Sequence, residues 1–206
     1  MASNDYHFIT HWRVKATLKE VNDVLGDAAD LVRWWPAVYL DVQVLEPGDE
    51  NGLGRTVSLY TKGWLPYTLR WQFQVVESNY PYGSRIEAQG DFNGRGIWTF
   101  AQDGEWVNVT YDWKITADKP LLKTFSFLLK PIFGLNHQWA MAKGLDSLEL
   151  ELARRNAPNE AVRAMIPAPP GPTTSSPVPM LLGTAALVIF GVWIISQLRA
   201  GRLFDA

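Results

Sequence analysis

The sequence predicts an α+β domain in which a seven-stranded antiparallel sheet wraps around one long helix near the C-terminal end. Met141, Leu145, Leu148 and Leu152 recur at spacings of four, three and four, the period of one apolar helix face. The preceding sequence is dominated by segments in which apolar and polar residues alternate, as in half-buried strands. A sheet with one apolar face must be covered, and the helix predicted at 131–155 is the only long element available.

Seven segments are predicted as strands: 8–16, 42–46, 55–62, 67–77, 84–92, 95–102 and 106–116. The segment 67–77 has the clearest alternation, and its inward-facing residues are Tyr67, Leu69, Trp71, Phe73 and Val75. The dipeptides Asn93-Gly94 and Asp103-Gly104 predict hairpin turns. These features indicate a meander of consecutive antiparallel strands.

Helices are predicted at two places. Between the first and second strands, apolar residues of 20–40 take helical spacing, and Gly26-Asp27 and Trp34-Trp35-Pro36 divide them into two short helices. The long helix is predicted to have Pro131 in its first turn, where the missing N–H is not needed. Asn156-Ala157-Pro158 ends it.

The composition excludes several kinds of site. The 206 residues are 47% hydrophobic and can bury a sizeable core, and zero Cys leaves no disulfide, thiolate nucleophile or thiolate metal ligand. His7 and His11 lie on the outer face of the first strand without a third ligand, so no metal site is predicted. No cofactor is predicted, and a net charge of -2 without a basic run argues against nucleic acid.

The residues after 156 have a different composition from the predicted domain, 1–156. A Pro-, Ala-, Ser- and Thr-rich stretch at 157–177 predicts a flexible, partly extended linker. The uncharged stretch 178–198 would form a helix about 31 Å long, which matches a hydrocarbon core of about 30 Å. We therefore expect a transmembrane anchor followed by a short tail at 199–206. With no signal peptide evident, the domain is expected on the cytoplasmic side, although Arg199 and Arg202 favour the opposite orientation.

The ten Trp residues suggest either an aromatic core or an aromatic-lined cavity between sheet and helix. The second interpretation gives a candidate ligand cavity of Trp12, Trp35, Tyr60, Trp71, Phe73, Trp98, Tyr111, Trp113, His137, Trp139 and Met141. Tyr60, His137 and, less suitably, the outward-facing Arg70 are the candidate polar groups that orient a ligand. His137 is also the candidate catalytic residue, because a histidine can exchange protons near neutral pH.

The sequence resembles the START-like, or SRPBCC, superfamily over residues 5–156. The resemblance lies in five stretches: 21–25, 31–38, 90–98, 109–113 and 136–141. It is strongest to bacterial members of the polyketide cyclase/dehydrase and lipid-transport type. It implies the helix-grip fold, a seven-stranded sheet around a long C-terminal helix with a cavity between them. No catalytic motif is shared across the superfamily, so the resemblance assigns no catalytic residue.

Three functions fit the sequence. The first is membrane-tethered binding or transfer of a lipid or other hydrophobic small molecule, taken up by apolar burial. The second is a cyclase or dehydratase for an aromatic or polyketide-like substrate, in which His137 carries protons with Tyr60 or Tyr111 assisting. The third is a protein-interaction domain whose groove is filled by its own side chains.

Overall fold

The computed structural model of the chain describes residues 5–117 and 126–174. It divides the chain into a first unit, Met1–Thr173, and a second unit, Thr174–Ala206. The predicted span at 178–198 and the tail at 199–206 lie outside the described residues. None of the helices within the described ranges is long and apolar enough to cross a membrane.

The first unit contains one antiparallel sheet of seven strands. They are β1 (Asp5–Lys15), β2 (Tyr39–Glu46), β3 (Thr56–Lys62), β4 (Thr68–Asn79), β5 (Gly83–Gly90), β6 (Phe92–Asp103) and β7 (Trp106–Ala117). Their order across the sheet is β1-β7-β6-β5-β4-β3-β2, so the first strand pairs with the last and every other neighbour is consecutive. The predicted seven-stranded meander is confirmed.

Four α-helices and one 3-10 turn complete the described residues. They are α1 (Leu18–Leu25), the 3-10 turn (Ala28–Asp30), α2 (Leu31–Trp34), α3 (Ser126–Arg155) and α4 (Glu160–Met165). The long helix α3 fills the curve of the sheet, as the helix-grip arrangement requires. Met141, Leu148 and Leu152 of its apolar face are at most 6% exposed.

Helix α1 begins with a capping box. Glu20 N–H donates to the Thr17 hydroxyl, while Thr17 N–H donates to the Glu20 carboxylate. The same Glu20 carboxylate accepts a hydrogen bond of 2.7 Å from the Asn156 side chain, just beyond the end of α3. The start of α1 is thereby attached to the C-terminal end of the long helix.

A buried carboxylate fixes α3 against α2. Glu151 is 2% exposed, and its oxygens accept hydrogen bonds from Arg33 at 2.6 and 2.8 Å and from Arg155 at 2.8 Å. Burial alone would raise the pKa of Glu151, but the hydrogen bonds and charges of the two arginines lower it overall. The charged form of this side chain therefore holds the C-terminal end of α3 in place.

One predicted turn is wrong. Asn93 and Gly94 lie within β6, and the β5–β6 turn is centred on Asp91. Asp91 N–H donates to Arg70 O, and the Asp91 carboxylate accepts from Arg70 N–H, so the neighbouring strand β4 fixes the position of the turn. Gly94 instead permits close approach of β7, since a Cβ there would overlap Lys114 O and its φ is 153°.

The predicted start of the long helix is also wrong. Helix α3 begins at Ser126, which places Pro131 inside the helix and not in its first turn. A proline in a helix interior removes one backbone hydrogen bond and costs about 3 kcal/mol. The apolar packing along the remaining length of α3 offsets this cost.

The stretch predicted as an extended linker has local structure within 157–174. Asn159 caps α4 by accepting from Val162 N–H at 3.0 Å, and Arg154 donates to Pro167 O. At its far end, Lys62 donates to Thr173 O at 2.8 Å, while the Thr173 hydroxyl donates to Gly63 O at 3.2 Å. We call residues 157–173 the strap, because they leave the C-terminal end of α3 and end beside the β3–β4 loop.

Candidate functional site

Two adjoining chambers lie between the sheet and the helices. The Arg55 chamber has a volume of about 130 Å³ and lies beside α1 and the β2–β3 and β4–β5 loops. The His137 chamber has a volume of about 170 Å³ and lies among β1, β3, β4, β7 and the N-terminal half of α3. Five residues line both chambers and form the waist between them: Trp35, Tyr39, Trp71, Tyr111 and Met141.

The His137 chamber has a mainly apolar, aromatic wall. Its lining outside the waist includes Tyr6, Phe8, Val38, Tyr67, Leu69, Phe92, Trp113, Ile115, Phe133 and Ala140. The polar side chains in this wall are uncharged except for Lys62, and no Asp or Glu of the described residues lines the chamber. This environment favours an apolar ligand with a few neutral hydrogen-bonding groups.

His137 lines this chamber, is partly buried and is neutral at physiological pH. Its ring stacks on Phe8 with centroids 4.4 Å apart, and its Nε2 lies 3.4 Å from the Thr10 hydroxyl. Burial lowers the pKa of His137 to about 4, because the charged imidazolium is poorly solvated there. A neutral imidazole can donate or accept a hydrogen bond, but it is a weak general base and is not a ready proton donor at pH 7.

The cavity tyrosines are also held in their neutral form. Burial raises the pKa of Tyr67 to about 12 and raises the pKa values of Tyr39, Tyr111 and Tyr6. Their phenol groups therefore remain available as hydrogen-bond donors and acceptors. Among the described residues, no group accepts a hydrogen bond from the buried Tyr6 hydroxyl.

The waist depends on two glycines that make room for aromatic rings. A Cβ at Gly144 of α3 would overlap the indole of Trp35, which is 3% exposed. A Cβ at Gly96 of β6 would lie 2.6 Å from the Tyr111 hydroxyl oxygen. Trp71 is held by a hydrogen bond of 3.0 Å from its Nε1 to the Thr61 hydroxyl. These contacts fix the orientations of Trp35, Tyr111 and Trp71 at the waist.

Like the Tyr6 hydroxyl, the indole N–H of Trp35 is a buried donor without an acceptor. Its Nε1–H makes no hydrogen bond with any group in the described part of the chain, although the ring lines both chambers. A buried polar group left without a partner costs about 1–3 kcal/mol. A ligand that carries an acceptor would offset this cost.

The Arg55 chamber has a more polar entrance. Arg55 donates to Pro47 O at 3.0 Å and to Gly26 O, which joins the β2–β3 loop to the end of α1. Asn22, Asn51, Ser78 and Ser84 also line this chamber. Its inner wall remains aromatic, since Trp98 stacks on Tyr111 with centroids 4.0 Å apart.

The structure brings most of the predicted cavity residues together. The predicted residues that line at least one chamber are Trp35, Trp71, Phe73, Trp98, Tyr111, Trp113, His137 and Met141. Trp12 lines neither chamber, because it is packed in the core between Trp35 and Trp98. Trp139 packs against the same core and also lines neither chamber.

The placement of Tyr60 in the cavity is wrong. Val57, Leu59 and Thr61 take the buried positions of β3, so alternation turns Tyr60 to the outer face. Its ring lies 4.2 Å from the guanidinium carbon of Arg70 on the paired strand β4. Both side chains therefore lie outside the cavity and cannot orient a ligand within it.

Sequence reasoning missed several wall residues. Tyr6 and Phe8 continue the inward alternation of β1 that includes Thr10 and Trp12, so their placement was available from the pattern. Asn136 and Tyr39 were not available, because their positions depend on tertiary contacts. Asn136 accepts a hydrogen bond from Leu65 N–H at 3.2 Å and so joins α3 to the β3–β4 loop.

The described residues contain no group of three or more His, Asp or Glu placed to hold a metal ion. His7 Nε2 lies 3.0 Å from the Asp112 carboxylate, which accepts the hydrogen bond, and His11 bonds to the Thr110 hydroxyl at 3.2 Å. Both histidines lie on the outer face of β1, away from His137.

Comparison with known proteins identifies the family. Residues 8–153 match the family described as "Polyketide cyclase / dehydrase and lipid transport". The chain belongs to this family. The match spans most of the sheet and the long helix, and it confirms the superfamily that the sequence resembles. A search of curated proteins gives no match.

Solved structures of the polyketide cyclase/dehydrase and lipid-transport fold align with the described domain. TTHA0849 from Thermus thermophilus is 15% identical, with a TM-score of 0.59 over 74% of this chain and 100% of that chain. Zhui aromatase/cyclase from a Streptomyces species is 14% identical, with a TM-score of 0.60 over 73% and 95%. The di-domain ARO/CYC BexL is 16% identical, with a TM-score of 0.54 over 70% and 49%. These likenesses show the fold.

Proposed function

We propose that the chain binds an uncharged hydrophobic small molecule in the two chambers while tethered to a membrane. The family and the fold support a hydrophobic-ligand binding or cyclase role. The observation that favours binding is the wall of the His137 chamber, which is aromatic and contains no described carboxylate. An ionised ligand group would lose its hydration there without gaining a counter-charge, except near Lys62.

The volume and the polar groups of the two chambers restrict the class of ligand further. Each chamber is smaller than the range of roughly 300–1,000 Å³ typical of drug-sized ligand pockets, whereas a ligand that passes the waist would use both. The donors of Tyr6 and Trp35 would find partners in carbonyl or ether oxygens of such a ligand. We therefore expect an elongated, neutral molecule with a small number of oxygen acceptors.

The cyclase or dehydratase alternative needs a group that moves protons. His137 is the best-placed candidate, but its lowered pKa and the absence of a described carboxylate beside it both disfavour proton transfer at pH 7. The protein-interaction alternative needs a groove filled by its own side chains. The two chambers argue against that alternative.

The proposed membrane tethering is based on the sequence of 178–198, which is uncharged and long enough to span a bilayer. Tethering would keep the cavity close to the bilayer from which a hydrophobic ligand comes.

The binding proposal is tested by filling the His137 chamber. Ala140 lines this chamber, whereas Ala142 is exposed two residues further along the same helix. Titration of the full chain in detergent with the uncharged fluorophore N-phenyl-1-naphthylamine should show saturable binding. Ala140→Trp should weaken binding by about tenfold or more, because the added indole occupies the ligand volume.

Ala142→Trp is the matched control and should bind as the unaltered chain does. Equal binding by both variants would place the fluorophore outside the cavity and contradict the proposal. If Ala140→Trp unfolds, Ala140→Leu with the same readout tests the same position with a smaller side chain.

A further inference from the structure

The strap brings the end of the first unit to the rim of the His137 chamber. Thr173 is held on both sides, by Lys62 through its carbonyl and by Gly63 through its hydroxyl. Lys62 and Gly63 both line the chamber. The chain therefore does not leave the domain from the C-terminal end of α3, as a free linker would allow, but from the rim of the cavity.

The number of residues after Thr173 limits the distance between that rim and the start of a membrane span. The predicted span starts at 178, five residues after Thr173. Five extended residues reach at most roughly 17 Å. A tether of this length, unlike one that begins at 157, keeps this part of the domain near the bilayer surface.

The same rim exposes apolar side chains that the domain does not bury. Trp64 of the β3–β4 loop is 38% exposed, and Leu135 of α3 is 57% exposed. The hydrogen bond from Leu65 N–H to Asn136 brings these neighbours to one end of the domain. Tryptophan is enriched at the level of lipid headgroups, where its ring is partly buried and its N–H remains hydrated.

The charge around the rim suits an anionic lipid surface. Two basic residues lie at this rim, and the first, Lys62, lines the chamber and donates to Thr173 O at 2.8 Å. Lys130 lies over the ring of Tyr6, with Nζ 5.6 Å from the centroid, and so is placed at the chamber wall. Basic residues near an anionic leaflet strengthen binding to the bilayer.

We propose that Lys62, Trp64, Lys130 and Leu135 form a bilayer-contacting rim, so that the His137 chamber opens toward the lipid. The rim would let a hydrophobic ligand pass between bilayer and cavity without crossing water. This inference rests on the proposed tether and adds to it a specific orientation of the domain.

The absence of cysteine allows a direct test with single labels. The full chain is reconstituted in nanodiscs of phosphatidylcholine and phosphatidylglycerol, with an environment-sensitive nitrobenzoxadiazole label at Trp64→Cys or Leu135→Cys. Control labels at Ile9→Cys and Tyr82→Cys occupy positions that are 57% and 54% exposed on the outer face of β1 and the β4–β5 turn. Quenching by doxyl-labelled lipid reports contact with the bilayer.

We expect quenching of the labels at 64 and 135 to be at least about threefold stronger than quenching of the labels at 9 and 82, because rim side chains would lie at headgroup level. Equal quenching at all four positions would contradict the proposal that the rim contacts the bilayer. Failure of the chain to co-purify with nanodiscs would instead contradict the tether. Binding of N-phenyl-1-naphthylamine, measured on the same samples, separates both results from failure of the ligand-binding proposal.

Discussion

His137 shows how one buried side chain makes the stability of the domain depend on pH. Its environment consists of Phe8, Thr10 and the apolar chamber wall, and it contains no described carboxylate that would favour the charged ring. In the unfolded chain the same histidine has an ordinary pKa near 6.5. The two states therefore bind different numbers of protons between that value and the folded value of about 4.

The sign of the pH effect follows from this difference. As pH falls below 6.5, the unfolded chain takes up a proton that the folded chain excludes, so stability is lost toward pH 4. The shift corresponds to a loss on the order of 2–3 kcal/mol across this window. His137→Gln should remove most of the loss, because glutamine does not titrate and can still bond to Thr10.

The measurement is urea unfolding of both proteins at several pH values from 4.5 to 7.5. His11→Gln is the control, since His11 is exposed on the outer face of β1. If His137→Gln unfolds in a two-state manner and retains the full pH dependence, His137 is not the source of that dependence.

At the scale of elements, helix α3 carries both the apolar face that fills the sheet and the small residue that makes room for the waist. Gly144 has no room for a Cβ because Trp35 lies against it, whereas a Cβ at Gly134 would meet nothing within 4 Å. Both are interior positions of one helix, where alanine is favoured over glycine by roughly 0.5–1 kcal/mol. The two glycines therefore separate helix propensity from packing.

Gly144→Ala should destabilise the domain by about 1–3 kcal/mol, because the methyl group displaces the Trp35 ring. Gly134→Ala should leave stability unchanged or raise it by up to about 1 kcal/mol. Thermal or urea unfolding measures both variants. A stabilising Gly144→Ala would show that Trp35 does not depend on this glycine for its position.

The elements also show what a sequence can and cannot predict. Alternation in β4 and the apolar spacing of Met141, Leu148 and Leu152 are local patterns, and they were sufficient for the sheet and the helix that fills it. The β5–β6 turn was misplaced because its position depends on pairing between Asp91 and Arg70, residues 21 apart in sequence. Local turn preference at Asn93-Gly94 does not include that contact.

The sequence predicts which residues belong to the candidate site better than it predicts how their side chains are arranged. Inward alternation identified Trp71, Phe73 and Trp113, but it could not separate side chains that line a chamber from those packed in the core, such as Trp12. That difference depends on how α3 and α2 fill the groove. Gly144 gives no local signal of its role, because the ring that needs the space is more than 100 residues away.

At the scale of the whole domain, a sheet wraps around a helix and leaves two adjoining spaces unfilled. The strap connects one of these spaces to the point from which the chain continues, beside Lys62 and Gly63. We propose that the sheet and α3 hold the ligand, that the strap sets where the chain leaves the domain, and that the predicted span at 178–198 tethers the domain to a membrane. The ligand of this cavity would be neutral and hydrophobic.

Native mass spectrometry of the full chain, purified in a nonionic detergent from the cells that naturally make it, would show whether the cavity holds such a ligand. We expect a bound, uncharged hydrophobic molecule at about one per chain, retained by Ala142→Trp and lost from Ala140→Trp, because only Ala140→Trp fills the chamber. An empty unaltered chain, or a molecule retained equally by both variants, would contradict it.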